Sequence, residues 1–152
     1  MTDLYSLIPN FKKIMPDFLN KENVFGICGI ETDPNSLSYS VYESLKKEGL
    51  KVYAINSGGE IAGDKIYSDL SSLPETPNVV CLVTKPENTL EAVKKVADQG
   101  VKMIWIDLGS ETSAAINYCK DNKIKAIYHH SIVKEITNPT AEGLKEIGKI
   151  IS

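Results

Sequence analysis

The amino-acid sequence predicts an α/β fold in which helices flank a doubly wound, mainly parallel sheet of five to six strands. From residue 24 onward, short runs rich in β-branched residues alternate with segments of helical periodicity. Several of these runs are apolar throughout, which is typical of strands covered on both faces of a parallel sheet. The connections are short and require right-handed crossovers, so we expect an open sheet in a single domain, residues 1–152.

Five strands and a brief sixth account for the β-rich runs. We expect Trp105 to be a core residue of the fourth strand, because large aromatic side chains dominate protein cores. Cys28 and Cys81 lie in two of the runs and are expected to behave as small hydrophobic residues. The five strands are Val24 to Ile30, Lys51 to Asn56, Asn78 to Thr84, Lys102 to Leu108 and Ile124 to Tyr128, and the brief one is Lys65 to Tyr67.

Two helices have clear signals at both ends. The first is predicted from Ser38 to Glu48 and ends at Gly49, a residue suited to a C-terminal cap. The second begins with Thr84-Lys85-Pro86-Glu87, which has the spacing of a capping box with proline in the first turn. It is expected to end at Gly100.

Two more helices and an N-terminal extension complete the prediction. Ser110 is expected to cap the third helix and Thr140 the last one. Residues 1–21 carry apolar side chains at helical spacing around two prolines, and we expect a short helical extension packed on the domain.

The composition describes a globular chain without a preference for polyanions. The formal net charge is −3, so nothing in it favours nucleic acid or an anionic membrane as a partner. No run approaches the ~18 apolar residues of a membrane span, and the first 20 residues lack the apolar block of a secretory signal. A cytoplasmic location is therefore expected.

The loop after the first strand is a candidate phosphate site. In a doubly wound sheet, ligands bind beyond the carboxyl ends of the strands, where the strand order reverses. Gly29 suits a tight turn that lets the backbone approach a phosphate, and the following helix would contribute N–H groups. Hydroxyl groups would come from Ser36, Ser38 and Tyr39. Glycine also ends many strands, however, and serine caps many helices without any ligand.

Several kinds of chemistry are disfavoured. An NAD site would have an acidic residue at the end of the second strand, where this chain has Asn56. Neither a P-loop nor a Gly-x-Ser-x-Gly motif is present. His129 and His130 are adjacent, and neighbouring side chains on a strand point to opposite faces, so they are poorly placed to bind one metal. We therefore predict no catalytic residue and no metal site.

Six segments together resemble the small stand-alone CoA-binding proteins, which share the Rossmann-type CoA-binding domain of the succinyl-CoA synthetase α subunit. The resemblance covers roughly residues 22–132. Its most specific segment is Gly59 to Leu70, which has the pattern G-E-I-x-G-x-K-x-Y-x-x-L in the sequence G-E-I-A-G-D-K-I-Y-S-D-L, because βα periodicity alone has no reason to produce it. The others are V-x-G-x-x-G-I at Val24 to Ile30, D-P-N-S-L-S-Y-S-V at Asp33 to Val41, V-Y-A-I-N at Val52 to Asn56, T-K-P-E at Thr84 to Glu87 and W-I-D-L-G at Trp105 to Gly109.

The resemblance implies non-catalytic binding of coenzyme A or an acyl-CoA at the C-terminal edge of the sheet. The loop after strand one would face the CoA phosphates, Lys85 would supply a cation, and residues after strand four would flank the same cleft. The cofactor contacts that it implies are Gly29, Ile30, Ser36, Ser38, Tyr39, Asn56, Ser57, Thr84, Lys85 and Gly109.

The chain departs from the family pattern at four places. Glu31 stands where a serine is usual, and Asp33 where a basic residue often precedes the loop proline. Asp107 replaces a glutamine, and Tyr128-His129-His130-Ser131 stands where cysteine or proline is common. Two carboxylates beside a pyrophosphate would repel it unless they turn to solvent or are neutralised.

Two other interpretations remain open. The domain would act as a regulatory module if its cleft senses another nucleotide within a larger assembly. It would act as a protein-interaction module if the nucleotide site has degenerated and the apolar N-terminal segment or Trp105 makes the contact. Enzymatic activity has the least support, because synthetases that share this domain rely on further domains. Besides a small-molecule nucleotide, two kinds of protein partner remain open: a second copy of the chain, in a homodimer, or a separate partner subunit.

Overall fold

The computed structural model describes residues 16–137, within which seven strands form one sheet. The predicted helix capped by Thr140 lies outside these residues, and the predicted extension at 1–21 is described only from residue 16. The strands are β1 (Val24–Cys28), β2 (Lys51–Ile55), β3 (Glu60–Ile61), β4 (Asp64–Tyr67), β5 (Val79–Leu82), β6 (Met103–Asp107) and β7 (Lys125–His130).

The sheet has the order β3-β4-β2-β1-β5-β6-β7, and each neighbouring pair except β3 with β4 is parallel. The chain builds outward from β1 to β2 on one side and from β5 to β7 on the other, so the strand order reverses between β1 and β5. The predicted doubly wound, mainly parallel fold is confirmed. The additional strand, β3, pairs with β4 in an antiparallel hairpin. The two residues of the turn, Ala62 and Gly63, have φ angles of 48° and 87°. With only two residues, β3 is too short for an alternating pattern to reveal it in the sequence.

Helices flank the sheet: α1 (Leu37–Lys47) after β1, α2 (Pro86–Asp98) after β5, α3 (Ser113–Asp121) after β6 and α4 (Ile132–Thr137) after β7. The first three follow the alternating order that the sequence predicts. Helix α4 is a short helix that was not predicted from the sequence, since the last helix was expected to begin at Thr140. A 3-10 turn, Leu70–Ser72, follows β4 in place of a helix. Within residues 16–137, no helix is long and apolar enough to cross a membrane.

Two of the predicted helix caps are wrong. Lys85 occupies the N-cap of α2 and makes no side-chain cap bond, because its ammonium group has no acceptor. Thr84, the predicted cap, has its Oγ1 2.6 Å from Thr89 Oγ1 instead. Helix α3 is capped by Thr112, while Ser110 Oγ accepts a hydrogen bond from the backbone N–H of Thr84 at 3.1 Å. The hydroxyls that local spacing assigned to caps therefore join the β5–α2 corner to the loop after β6.

The core forms on both faces of the sheet, and Trp105 lies fully buried within it. Its ring meets Phe18 edge to face at a centroid distance of 6.2 Å, and its Nε1 donates a hydrogen bond to the carbonyl of His130 at 3.0 Å. The predicted core position of Trp105 is confirmed.

Candidate functional site

A cleft of about 630 Å³ lies at the carboxyl ends of β1, β2 and β5. This is the place where the strand order reverses, and where open α/β sheets bind ligands. One wall is α2, whose lining residues recur at each turn along one side of the helix, from Asn88 to its C-terminal end. The strand ends contribute Cys28, Gly29, Ile55, Asn56, Ser57 and Thr84, the segment after β4 contributes Ser68 to Ser71, and α2 with its C-cap Gln99 contributes Asn88, Glu91, Ala92, Lys95, Val96, Asp98 and Gln99.

Four of the ten predicted contacts line this cleft: Gly29, Asn56, Ser57 and Thr84. Asn56 ties three strand ends together. Its backbone N–H donates to the carbonyl of Tyr67 at 2.8 Å, and its side-chain Nδ2 donates to the carbonyl of Ile30. The ends of β1, β2 and β4 are thereby held at one edge of the cleft.

Gly29 is required where β1 leaves the sheet. Its φ is 91°, a conformation that L side chains rarely adopt. A Cβ at this position would lie 2.1 Å from the carbonyl oxygen of Val83, which no repacking of side chains relieves. The predicted tight turn is present, and the close approach that demands glycine is to the end of β5.

The hydroxyls of the loop after β1 hold the loop itself. Ser36 Oγ accepts from the N–H of Tyr39 at 3.2 Å and donates to the carbonyl of Asp33 at 2.7 Å. Ser38 is buried, and its Oγ accepts from the N–H of Glu31 at 2.8 Å. Neither hydroxyl lines the cleft, and neither do Tyr39 or the buried Ile30.

The two loop carboxylates that depart from the family pattern lie outside the cleft lining. Glu31 and Asp33 are both exposed, and neither lines the cleft. Asp33 Oδ1 accepts from the N–H of Asn35 at 2.9 Å, which stabilises a turn between β1 and α1. Their repulsion toward a bound phosphate is therefore weakened by solvent screening.

The remaining predicted contacts stand around the cleft. Lys85 is exposed at the N-cap of α2, and it accepts a hydrogen bond from the N–H of Asn88 at 2.8 Å through its carbonyl. Gly109 follows β6, and its N–H donates to Glu111 Oε2 at 3.0 Å. Neither residue is part of the lining.

Charged residues of the cleft came from segments that sequence reasoning did not assign to a site. Asp69 follows β4, and its carboxylate accepts from Ser71 Oγ at 2.5 Å and from the N–H of Ser72 at 3.0 Å. These bonds lower the pKa of Asp69, so it stays ionised at neutral pH. Lys95 lines the cleft from α2. Asp69 lies within the most specific segment of the family resemblance, but at a position that the motif leaves variable, so the sequence did not mark it as a site residue.

Cys28 brings a thiol to the cleft. Burial raises the pKa of this thiol to about 12, so it remains protonated at neutral pH. A neutral thiol is a poor nucleophile and offers apolar surface to a ligand.

A second group of ionisable side chains lies at the ends of β6 and β7. Asp107 is fully buried, burial raises its pKa to about 6, and its Oδ1 accepts from the N–H of Ile132 at 2.9 Å. His130 Nε2 lies 2.7 Å from Glu135 Oε2 in the interior, whereas the half-exposed His129 has its Nδ1 3.3 Å from Glu111 Oε1. The two histidines thus have separate partners, and residues 16–137 contain no group of three or more candidate metal ligands.

Comparison with solved structures establishes the fold independently. A protein from Pyrococcus horikoshii superposes with a TM-score of 0.77 at 21% identity, over 86% of this chain and 92% of that protein. A protein from Thermus thermophilus superposes with a TM-score of 0.76 at 17% identity, over 84% and 98%. The dinucleotide forming acetyl-coenzyme A synthetase 1 of Ca. Korarchaeum cryptofilum, in complex with phosphate and ADP, has a TM-score of 0.64 at 19% identity, over 76% of this chain and 27% of that protein. No curated protein matches the chain significantly.

The sequence itself matches a protein family. The family model for the CoA binding domain covers residues 23–137, a span that includes every described strand and the whole cleft. The resemblance inferred from the six sequence segments is confirmed by this match. The chain belongs to the CoA-binding domain family.

Proposed function

We propose that the chain binds coenzyme A or an acyl-CoA in the cleft at the carboxyl edge of the sheet, without carrying out chemistry on it. The observation that carries this proposal is the position of the cleft. It lies where the strand order reverses, inside the residues that match the CoA binding domain. Open α/β sheets bind nucleotides at this place because loops and helix N-termini converge there.

The start of α2 is suited to the phosphates. No side chain caps this helix, so the positive end of its dipole is left for a ligand. Lys85 adds an exposed cation at the same end, and Gly29 keeps the neighbouring loop free of a side chain. We expect the pyrophosphate to lie between Gly29 and the first turn of α2.

Binding without catalysis is supported by the groups that the cleft offers. Among the described residues of its lining, the thiol of Cys28 is protonated at neutral pH, and the other side chains are apolar, donate or accept hydrogen bonds, or carry charge. The histidines of β7 stand outside the lining. Hydrogen bonds and charge position a nucleotide, but they supply no activated nucleophile.

Isothermal titration with CoA, run beside NAD and ATP, tests the proposal. Native mass spectrometry comes first, to show that the protein carries no co-purified ligand. We expect selective CoA binding with a Kd near 1 μM, about −8 kcal/mol. Absence of heat with every nucleotide, in a folded and empty protein, would contradict the proposal and favour the protein-interaction module.

The proposed role of Lys85 is tested by Lys85→Ala. An exposed charge-assisted contact is worth about 1 kcal/mol, so we expect CoA affinity to fall about fivefold. Lys102→Ala is the matched control, because Lys102 is exposed at the opposite, amino end of β6. Equal affinities for both variants and the unmodified protein would remove Lys85 from the site.

A further inference from the structure

We propose that the cleft is built for a nucleotide with free ribose hydroxyls, so that the chain binds dephospho-CoA more tightly than CoA. The inference rests on the proposed function and names the form of the ligand. CoA carries a phosphate on its ribose, and dephospho-CoA carries a hydroxyl at that position.

The end of β2 has no acidic residue, but the neighbouring strand β4 is followed by one, Asp69. Dinucleotide sites use an acidic side chain after the second strand to accept hydrogen bonds from ribose hydroxyls. Here β2 and β4 are parallel neighbours, with Ile55 level with Tyr67. Asn56 and Ser68 are therefore the next residues on adjacent strands, and Asp69 follows immediately on the rim of the same cleft.

The carboxylate of Asp69 is held in place. It caps the 3-10 turn after β4 by accepting from Ser71 Oγ and from the N–H of Ser72. A carboxylate has about four lone-pair sites, so two accepted bonds leave capacity for hydroxyl donors from a ligand. An ionised carboxylate that accepts from a diol is favourable, whereas the same carboxylate facing a phosphate is repelled.

The other charges of the described lining do not compensate for this repulsion. Among the described residues of the lining, the carboxylates of Asp69, Glu91 and Asp98 stand against the ammonium of Lys95. Lys85 lies outside this lining and is assigned above to the pyrophosphate. A ribose phosphate adds a charge of about −1.5 to −2 at neutral pH. All four side chains are exposed, so solvent screening keeps the expected discrimination modest, at about tenfold.

The experiment is a pair of titrations, with CoA and with dephospho-CoA, on three proteins. The unmodified chain is expected to bind dephospho-CoA about tenfold more tightly. Asp69→Asn keeps an N-cap residue of equal quality while removing the charge, and it is expected to bring the ratio of the two Kd values close to one. Asp121→Asn removes the same charge from an exposed position at the end of α3, outside the lining, and is expected to leave the ratio unchanged.

Each outcome is decisive. CoA binding as tightly as dephospho-CoA to the unmodified chain would overturn the inference while leaving the proposed function intact. A ratio unchanged by Asp69→Asn would remove Asp69 as the discriminating group, and Asp69→Ser, another good cap, gives the same test if the first variant folds poorly. Binding of neither ligand would instead contradict the proposed function itself.

Discussion

At the scale of the residue, Asp107 shows how tertiary structure gives a side chain its properties. It ends β6 with none of its surface exposed, and Oδ1 accepts the N–H of Ile132 at the start of α4. Within the described residues, its Oδ2 has no hydrogen-bond partner. Burial therefore raises its pKa to about 6, since the ionised form loses water without full compensation.

The raised pKa predicts how stability depends on pH. Because the folded protein holds this proton more tightly than the unfolded chain, its contribution to stability is present below about pH 4 and is lost as pH rises toward 6. Asp107→Asn keeps an acceptor for Ile132 and removes the titration. The amide N–H2 of the asparagine replaces Oδ2, which has no partner among the described residues, so the variant is expected to lose stability at pH 4. Between pH 4 and 6 we expect its free energy of unfolding to fall less than that of the unmodified chain. Urea unfolding at several pH values measures the slope, and equal slopes for the two proteins would contradict the assignment.

At the scale of the element, the start of α1 distinguishes a serine that caps a helix from a serine that binds a ligand. Ser36 caps this helix by accepting the N–H of Tyr39, and it also donates to the carbonyl of Asp33. Both bonds lie within the loop and the helix, although the family resemblance implies that Ser36 contacts CoA. Serine at this position is sufficiently explained by the cap.

Replacing the cap tests this distinction. Ser36→Ala is expected to lower the free energy of unfolding by about 1 kcal/mol and to change CoA affinity by less than about twofold. Ser113→Ala is the control, because Ser113 is exposed at the first position of α3 and provides no cap. A large loss of CoA affinity at unchanged stability would return Ser36 to the ligand site.

The caps of α2 and α3 show why spacing alone misplaced two helix starts. Thr84 and Ser110 have side chains suited to capping, and each precedes a helix. The sheet brings them together, so that Ser110 accepts the N–H of Thr84 and Thr84 bonds to Thr89. A helix-capping pattern considers only neighbours in the chain, so it does not detect a competing hydrogen-bond partner that lies 26 residues away.

At the scale of the whole molecule, ligand binding and stability are linked through the cleft. Its walls come from the ends of β1, β2 and β5, from α2 and from the segment after β4, so the nucleotide proposed to bind there would bridge both halves of the sheet. A ligand that binds only the folded state stabilises it in proportion to its concentration relative to Kd.

Thermal unfolding with and without CoA measures this linkage. At 100 times Kd, CoA is expected to add about 2.7 kcal/mol, which raises Tm by roughly 5–10 °C for a chain of this size. Ala92→Trp fills the cleft from α2 and is expected to abolish the shift. Ala114→Trp, at an exposed site of α3 outside the lining, is expected to retain it. An equal shift in both variants would place CoA elsewhere.

The sequence by itself determined the alternation of strands and helices, the parallel sheet and the family. These features are local, because strand runs, glycine stops and helical spacing such as those around Gly49 and Gly100 are set by neighbours in the chain. It also marked Gly29, whose backbone conformation limits the residue that can stand there. The two-residue strand β3 was too short to leave such a signal.

Only the tertiary structure decided which residues share the cleft. Asp69 and Lys95 join Asn56 because β4 pairs with β2 and because one face of α2 turns toward both strands. The hydroxyls of Ser36 and Ser38, which are predicted to contact a phosphate, bond to nearby backbone groups and lie outside the described lining of the cleft. Strand order and helix orientation are fixed by packing between segments that are distant in the chain. They determine which charged side chains line the cleft, and no single stretch of the sequence contains that information.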